Sequence, residues 1–151
     1  MQSTRKQMSN VKKLFSNEVL FDNSKDWALL ILRVIPSFYL FYYHGLGKIS
    51  GGPDSWTWLG KAAMGVYGIS VGHVFFGFLA AVSEGIFTWL VFAGLQTRMA
   101  SFFVMMTMFF AGTYHLSKGE SPESAFIYFA VYFTLFLCGP GKLSLDTQLK
   151  K

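Results

Sequence analysis

Cysteine is almost missing from this chain. Cys138 is the only one in 151 residues, so an intramolecular disulfide, a Cys-x-x-Cys redox pair and a cysteine-rich metal cluster are all excluded. Cys138 itself reads as a small apolar residue near the end of a span. Charge is scarce too: 14% of residues are charged, against 52% hydrophobic and 19% aromatic. A soluble domain of this length has more surface to keep wet, so the composition places the chain in the membrane class, as one compact helical domain. Acidic residues number eight against thirteen basic. The basic residues sit mostly at the two chain ends beside apolar runs, as topology determinants and contacts for anionic lipid, which argues against a nucleic-acid face. No secretory signal pattern is read, because the first 26 residues are polar and no small-residue cleavage site follows an apolar run. No internal repeat, low-complexity tract, or flavin or nicotinamide fingerprint stands out.

What is present divides into three parts. Residues 1–26 form a basic juxtamembrane arm in which Val11, Leu14, Phe15, Val19 and Leu20 recur at near-helical spacing, as in a surface-lying segment. Residues 27–141 form an all-α integral membrane domain, a four-helix bundle. Residues 142–151 form a polar tail. The first span runs from about Trp27 to Leu46, opened by Asn23 or Ser24 as cap. It is bent at Pro36, with Ser37 partly satisfying the freed carbonyl. Residues 49–72 begin with the turn cluster Ser50-Gly-Gly-Pro-Asp54, after which Trp56 and Trp58 mix with Lys61 and four glycines (Gly60, Gly65, Gly68 and Gly72). They read as an interfacial or re-entrant segment between spans one and two, covering the outer face. The second span, 73–95, turns tightly into a third, Met99 to His115, so the two are antiparallel neighbours. Ser121-Pro122-Glu123 opens a fourth as cap, first-turn proline and first-turn acid, and Gly139-Pro140-Gly141 stops it. Four spans put both termini on one side. That side collects Arg5, Lys6, Lys12, Lys13, Lys25, Arg98, Lys142, Lys150 and Lys151, nine against the three (Lys48, Lys61, Lys118) opposite. The positive-inside rule then makes both termini cytoplasmic.

Glu84 lies near the middle of the apolar run His73–Leu95. A carboxylate at that depth costs roughly 2.5–3.5 kcal/mol on insertion scales unless it is paired, protonated or hydrated. Arg33 and Glu84 lie roughly 9 Å and 16 Å in from the same end at 1.5 Å per residue, which makes Arg33 the expected partner. Arg33 and His44 are eleven residues apart, as are His73 and Glu84, so each pair is expected on one helical face, the second with Gly77 and Ala80 leaving room for a close neighbour. His44, His73 and His115 all fall toward the outer leaflet. Each residue also has a plainer reading: a structural ion pair for Arg33 and Glu84, interfacial polarity for each histidine, a topology anchor for Arg98, and lipid-facing or packing surface for the stripe Phe102–Phe110. Bis-histidine haem and a three-histidine metal site are weighed and demoted; no metal ligands are assigned.

The ordered set of an arginine early in span one, His44-Gly-x-Gly-Lys48, Glu84-Gly, Gly94-x-x-Thr-Arg98 and Gly139-Pro-Gly-Lys-Leu-Ser-Leu-Asp146 resembles the DoxX family over about residues 25–146. That resemblance implies a small four-helix integral membrane protein, often described as an oxidoreductase. Relatives serve as subunits of a thiosulfate:quinone oxidoreductase and of membrane-tethered redox complexes. Carried onto this chain, the family's polar positions are Arg33, His44, Lys48, Glu84, Arg98 and Asp146. The long basic arm and the Trp/Gly-rich first loop depart from the family pattern.

Three functions follow as expectations. The first is a quinone-interacting subunit of a membrane redox system, with Glu84, Arg33 and His44 as catalytic residues and His44, His73, Lys48 and His115 binding the quinone; a protein partner supplies the electrons. The second is a non-enzymatic anchor or assembly partner whose aromatic first loop docks a protein. The third is a carrier of a small molecule or protons gated by Glu84.

Overall fold

The computed structural model describes residues 21–150; the surface-lying segment expected at residues 11–20 lies outside them. The described chain is helical, with no strand among the described residues. Helix α1 (Ser24–Leu40) passes through a π turn (Phe41–Gly45) into α2 (Leu46–Ser50) as one continuous helix of 27 residues. After Gly51 come α3 (Gly52–Gly65), then α4 (His73–Val82), a second π turn (Ser83–Phe87) and α5 (Thr88–Ala93). Helices α6 (Thr97–Ser117), α7 (Glu123–Cys138) and the short α8 (Leu145–Gln148) complete the chain. Three helical stretches are long and apolar enough to cross a membrane: Ser24–Ser50, His73–Ala93 and Thr97–Ser117. α7 is apolar but shorter, at 16 residues.

Local chemistry accounts for most of the boundaries, with four departures from expectation. Asn23 sits at the cap of α1 without a side-chain capping bond. Pro122 occupies the cap position of α7, and Ser121 Oγ only approaches the Glu123 amide, at 3.4 Å. Ser37 Oγ does not serve the carbonyl freed by Pro36; it bonds the Tyr132 hydroxyl of α7 at 3.0 Å, joining two helices in the core. The first long helix also runs past Leu46 to Ser50.

The core lies where α1, α5, α6 and α7 meet, built from Leu40, Val91, Ala100, Val104, Met105, Met108, Tyr132 and Leu135. The stretch 49–72 carries α3, which packs lengthwise and antiparallel on α4. Backbones touch there: a Cβ on Gly77 would overlap the Trp56 carbonyl, and one on Gly60 the His73 carbonyl. This is the approach that small residues permit between apolar helices. Trp56 Nε1 donates to the Lys48 carbonyl at 2.9 Å and ties α3 back to α2. Gly94 and Gln96, both in left-handed backbone (φ 72° and 48°), make the tight turn from α5 to α6.

Candidate functional site

The polar residues singled out by the sequence fall into two separate places. One is a cavity of about 420 Å³ enclosed by α3, α4 and α6, into which the first π turn and α2 send His44 and Lys48. Its walls are apolar and aromatic, with Leu59 and Met64 from α3, Phe76 from α4, and Phe103, Met106 and Phe110 from α6. Lys48 Nζ donates to Glu84 Oε1 at 2.5 Å. Both residues line the cavity; the Lys48 side chain is 25% exposed and that of Glu84 1%. The lysine is therefore the more accessible member of the pair. Glu84 Oε2 is buried without a hydrogen-bond partner.

The expected Arg33–Glu84 pair does not form; the cation on Glu84 is Lys48. The reason is depth: the Arg33 guanidinium lies at Gly94, ten residues along the helix from Glu84, whereas Glu84 lies level with Gly45 and within reach of Lys48. The two π turns further change which faces align. Each admits an extra residue, so side chains beyond it are rotated by roughly one residue's 100° from the α-helical face. Arg33, Ser37 and Leu40 point into the protein, while His44, within the π turn, is exposed along the cavity. The turns also meet each other: Gly45 lies against the Glu84 carbonyl so closely that a Cβ would overlap it. Thr88 Oγ1 donates to that carbonyl at 2.7 Å. His44 thus lies at the level of Glu84, midway along the second long helix, rather than at a helix exit.

The histidines do not converge. His115 lines the cavity near the end of α6, where Nδ1 meets Glu120 Oε2 at 2.7 Å. His73 turns to the Ile69 carbonyl at 3.2 Å and is absent from the cavity wall. Among the described residues no group of three or more His, Cys, Asp or Glu is placed to hold a metal ion.

The second place is a clamp at the Gly94 end. Arg33, 1% exposed, donates from Nη2 to the Leu143 carbonyl at 2.6 Å, and its Nη1 lies where a Cβ on Gly94 would have to go. Asp146 accepts from the amides of Gln96 (2.8 Å) and Thr97 (2.9 Å), capping α6, and its own amide donates to the Gly94 carbonyl at 2.8 Å. Burial pushes the Asp146 carboxyl up, but these amide bonds outweigh it and hold the group below the ordinary carboxylate value. The Lys142 amide donates to Asp26 at 2.8 Å, and Arg98 Nη2 to the Leu137 carbonyl at 3.3 Å. Arg98 and Asp146 thus hold the chain's folded-back end in place, and Arg33 works with them, away from the cavity.

The sequence indicates the packing and exposed faces of α6 but not its face on the cavity. The stripe Phe102–Phe110 serves three surfaces: Met105 and Met108 enter the core, Phe103, Met106 and Phe110 line the cavity, and Phe102 and Phe109 are exposed. A 3.6-residue period divides such a run among faces without saying which face meets a void.

A family model described as DoxX matches residues 28–116. No curated protein and no solved structure matches the chain.

Proposed function

This chain belongs to the DoxX family, and from that premise and the cavity we propose that it is a quinone-interacting subunit of a membrane redox system. The observation that carries the reading is a part-buried Lys48–Glu84 pair in the wall of an otherwise aromatic and apolar cavity. About 420 Å³ is within the range of small-molecule sites, which are mostly apolar with few polar groups to fix orientation. A quinone needs a flat apolar slot and donors to its carbonyl oxygens. Phe76, Phe103 and Phe110 supply the slot; Lys48 Nζ, and His44 or His115, supply donors. When bound, the quinone supplies the two-electron, two-proton chemistry, with electrons delivered by a partner protein.

Within that reading the residues have distinct tasks. Lys48 is the group that touches the ligand, and its ammonium stabilises negative charge developing on a carbonyl oxygen. Glu84 is a positioning residue that fixes Lys48 and shares a proton with Nζ. The aromatic walls exclude water, which strengthens both interactions. Arg33 and His73 stand outside this site.

The same reading takes the molecule as a four-helix bundle in a bacterial inner membrane, both termini cytoplasmic, with α7 as the fourth span. Support comes from the asymmetry of Lys and Arg and from the apolar length of the helices. α3 then fills the outer half of the membrane beside α4, as the re-entrant element of the fold. The docking reading of the first loop is less favoured, because Trp56 is already engaged with the Lys48 carbonyl and the Phe78 ring.

Titration of the detergent-purified protein with a short-tailed ubiquinone analogue tests the proposal. A hydrogen bond to a charged group contributes about 1.5–3 kcal/mol, so Lys48→Met should weaken binding at least about tenfold. Absence of saturable binding to the unsubstituted protein would end the reading.

A further inference from the structure

A second pocket, of about 330 Å³, opens at the Ser117 end of the helices. Lys61 of α3 and Lys118, just past α6, both line it, together with Ser117 and no carboxylate. The Lys118 ammonium sits 5.7 Å from the centroid of the Tyr114 ring, which holds it over the pocket. It also offsets the negative carbonyl end of α6, which would otherwise repel an anion. Glu120, the acid nearest in sequence, is engaged with His115. Two cations from different elements therefore share a concave space with no counter-charge in its wall.

Trp58, Ala62 and Tyr114 line both this pocket and the apolar cavity, so the basic space continues into an apolar one. Trp58 and Val66 beside the lysines are 61% and 39% exposed. Ser117 is the last residue of a stretch long enough to span a membrane, which sets the pocket at the level of lipid headgroups.

We propose that this pocket binds the phosphate of an anionic phospholipid between Lys61 and Lys118, with the first part of an acyl chain lying over Trp58 toward the apolar cavity. Inorganic phosphate offers the same oxyanion, but the adjoining apolar wall favours the lipid. The inference rests on the chain crossing a membrane and not on the cavity holding a quinone. Two lysines near a surface of anionic lipid give a preference on the order of 30-fold over a zwitterionic lipid.

The full chain in phosphatidylcholine nanodiscs provides the test, with a small fraction of either brominated phosphatidylglycerol or brominated phosphatidylcholine. Bromine quenches a tryptophan only in contact, and Trp58→Phe identifies the component due to Trp58. Brominated phosphatidylglycerol should quench that component at far lower mole fraction. The advantage should vanish in Lys61→Ala/Lys118→Ala. Equal quenching by the two lipids in the unsubstituted protein would overturn the proposal. Equal quenching by the two lipids, together with inorganic phosphate binding that is lost in the double variant, would leave a free oxyanion as the occupant instead. Quinone binding, measured separately, is unaffected by either failure.

Discussion

Lys48 reaches Glu84 across 36 positions of sequence, Nζ to Oε1 at 2.5 Å, and the lysine is the more exposed of the two around the cavity they both line. This ordering makes the carboxylate a support for the cation. It also makes the pair sensitive to losing either partner, since one oxygen of Glu84 already lacks a hydrogen bond.

Breaking the pair from one side should be worse than removing it altogether. Lys48→Met leaves a buried acid without a cation and should cost about 3–5 kcal/mol, whereas Lys48→Met/Glu84→Gln should recover part of that loss. Thermal unfolding of the four proteins of this cycle in one detergent measures the coupling. Strictly additive losses would show that the two groups do not act on each other.

Arg33 belongs to the clamp, so its variants should separate stability from ligand binding. Arg33→Lys cannot reproduce the bond from this buried guanidinium to the Leu143 carbonyl together with the contact at Gly94, and losing a hydrogen bond from a charged group costs about 1.5–3 kcal/mol. Melting temperature should fall while affinity for the ubiquinone analogue stays within a factor of about two. An affinity loss matching that of Lys48→Met would place Arg33 in the ligand site after all.

Two glycines make a matched control. Gly94 has φ 72°, and a Cβ there would overlap the Arg33 guanidinium, whereas a Cβ on Gly47 meets nothing within 4 Å. Gly94→Ala should therefore destabilise by more than about 2 kcal/mol, from left-handed strain plus collision. Gly47→Ala, in a helix, should be neutral or stabilise by up to about 1 kcal/mol. Equal effects at both sites, read by thermal unfolding, would rule out the close contact.

Acid should loosen the clamp through Asp146. Its carboxyl titrates below the ordinary 3.8, so the folded state favours the charged form. That stabilisation is complete above about pH 4 and is lost as the pH falls through the depressed folded value. Hydrogen exchange of residues 139–150 between pH 6 and pH 3, corrected for intrinsic rates, should show protection falling at the acid end. Asp146→Asn, expected to cost about 1 kcal/mol as a weakened cap, should show a flat profile. A wild-type profile that is equally flat would remove the carboxylate from the clamp.

Composition and apolar run length were enough to establish a helical membrane protein, because crossing a bilayer demands a minimum stretch of apolar residues whatever the tertiary arrangement. The ordered motifs from Arg33 to Arg98, all of them inside the matched region, were enough for the family. The tight turn at Gly94 could be read from glycine and chain length alone, as could the stop at Gly139. Which charges meet could not. Spacing arguments assume an unbroken α-helix, and the π turns at Phe41–Gly45 and Ser83–Phe87 shift the register of His44 and Glu84. Only packing reveals those shifts: Gly45 must clear the Glu84 carbonyl, and the chain must fold back from Gly139 so that Leu143 and Asp146 take Arg33 and the α6 amides. Periodicity describes one helix at a time; partners, and the void between them, depend on how several helices share space.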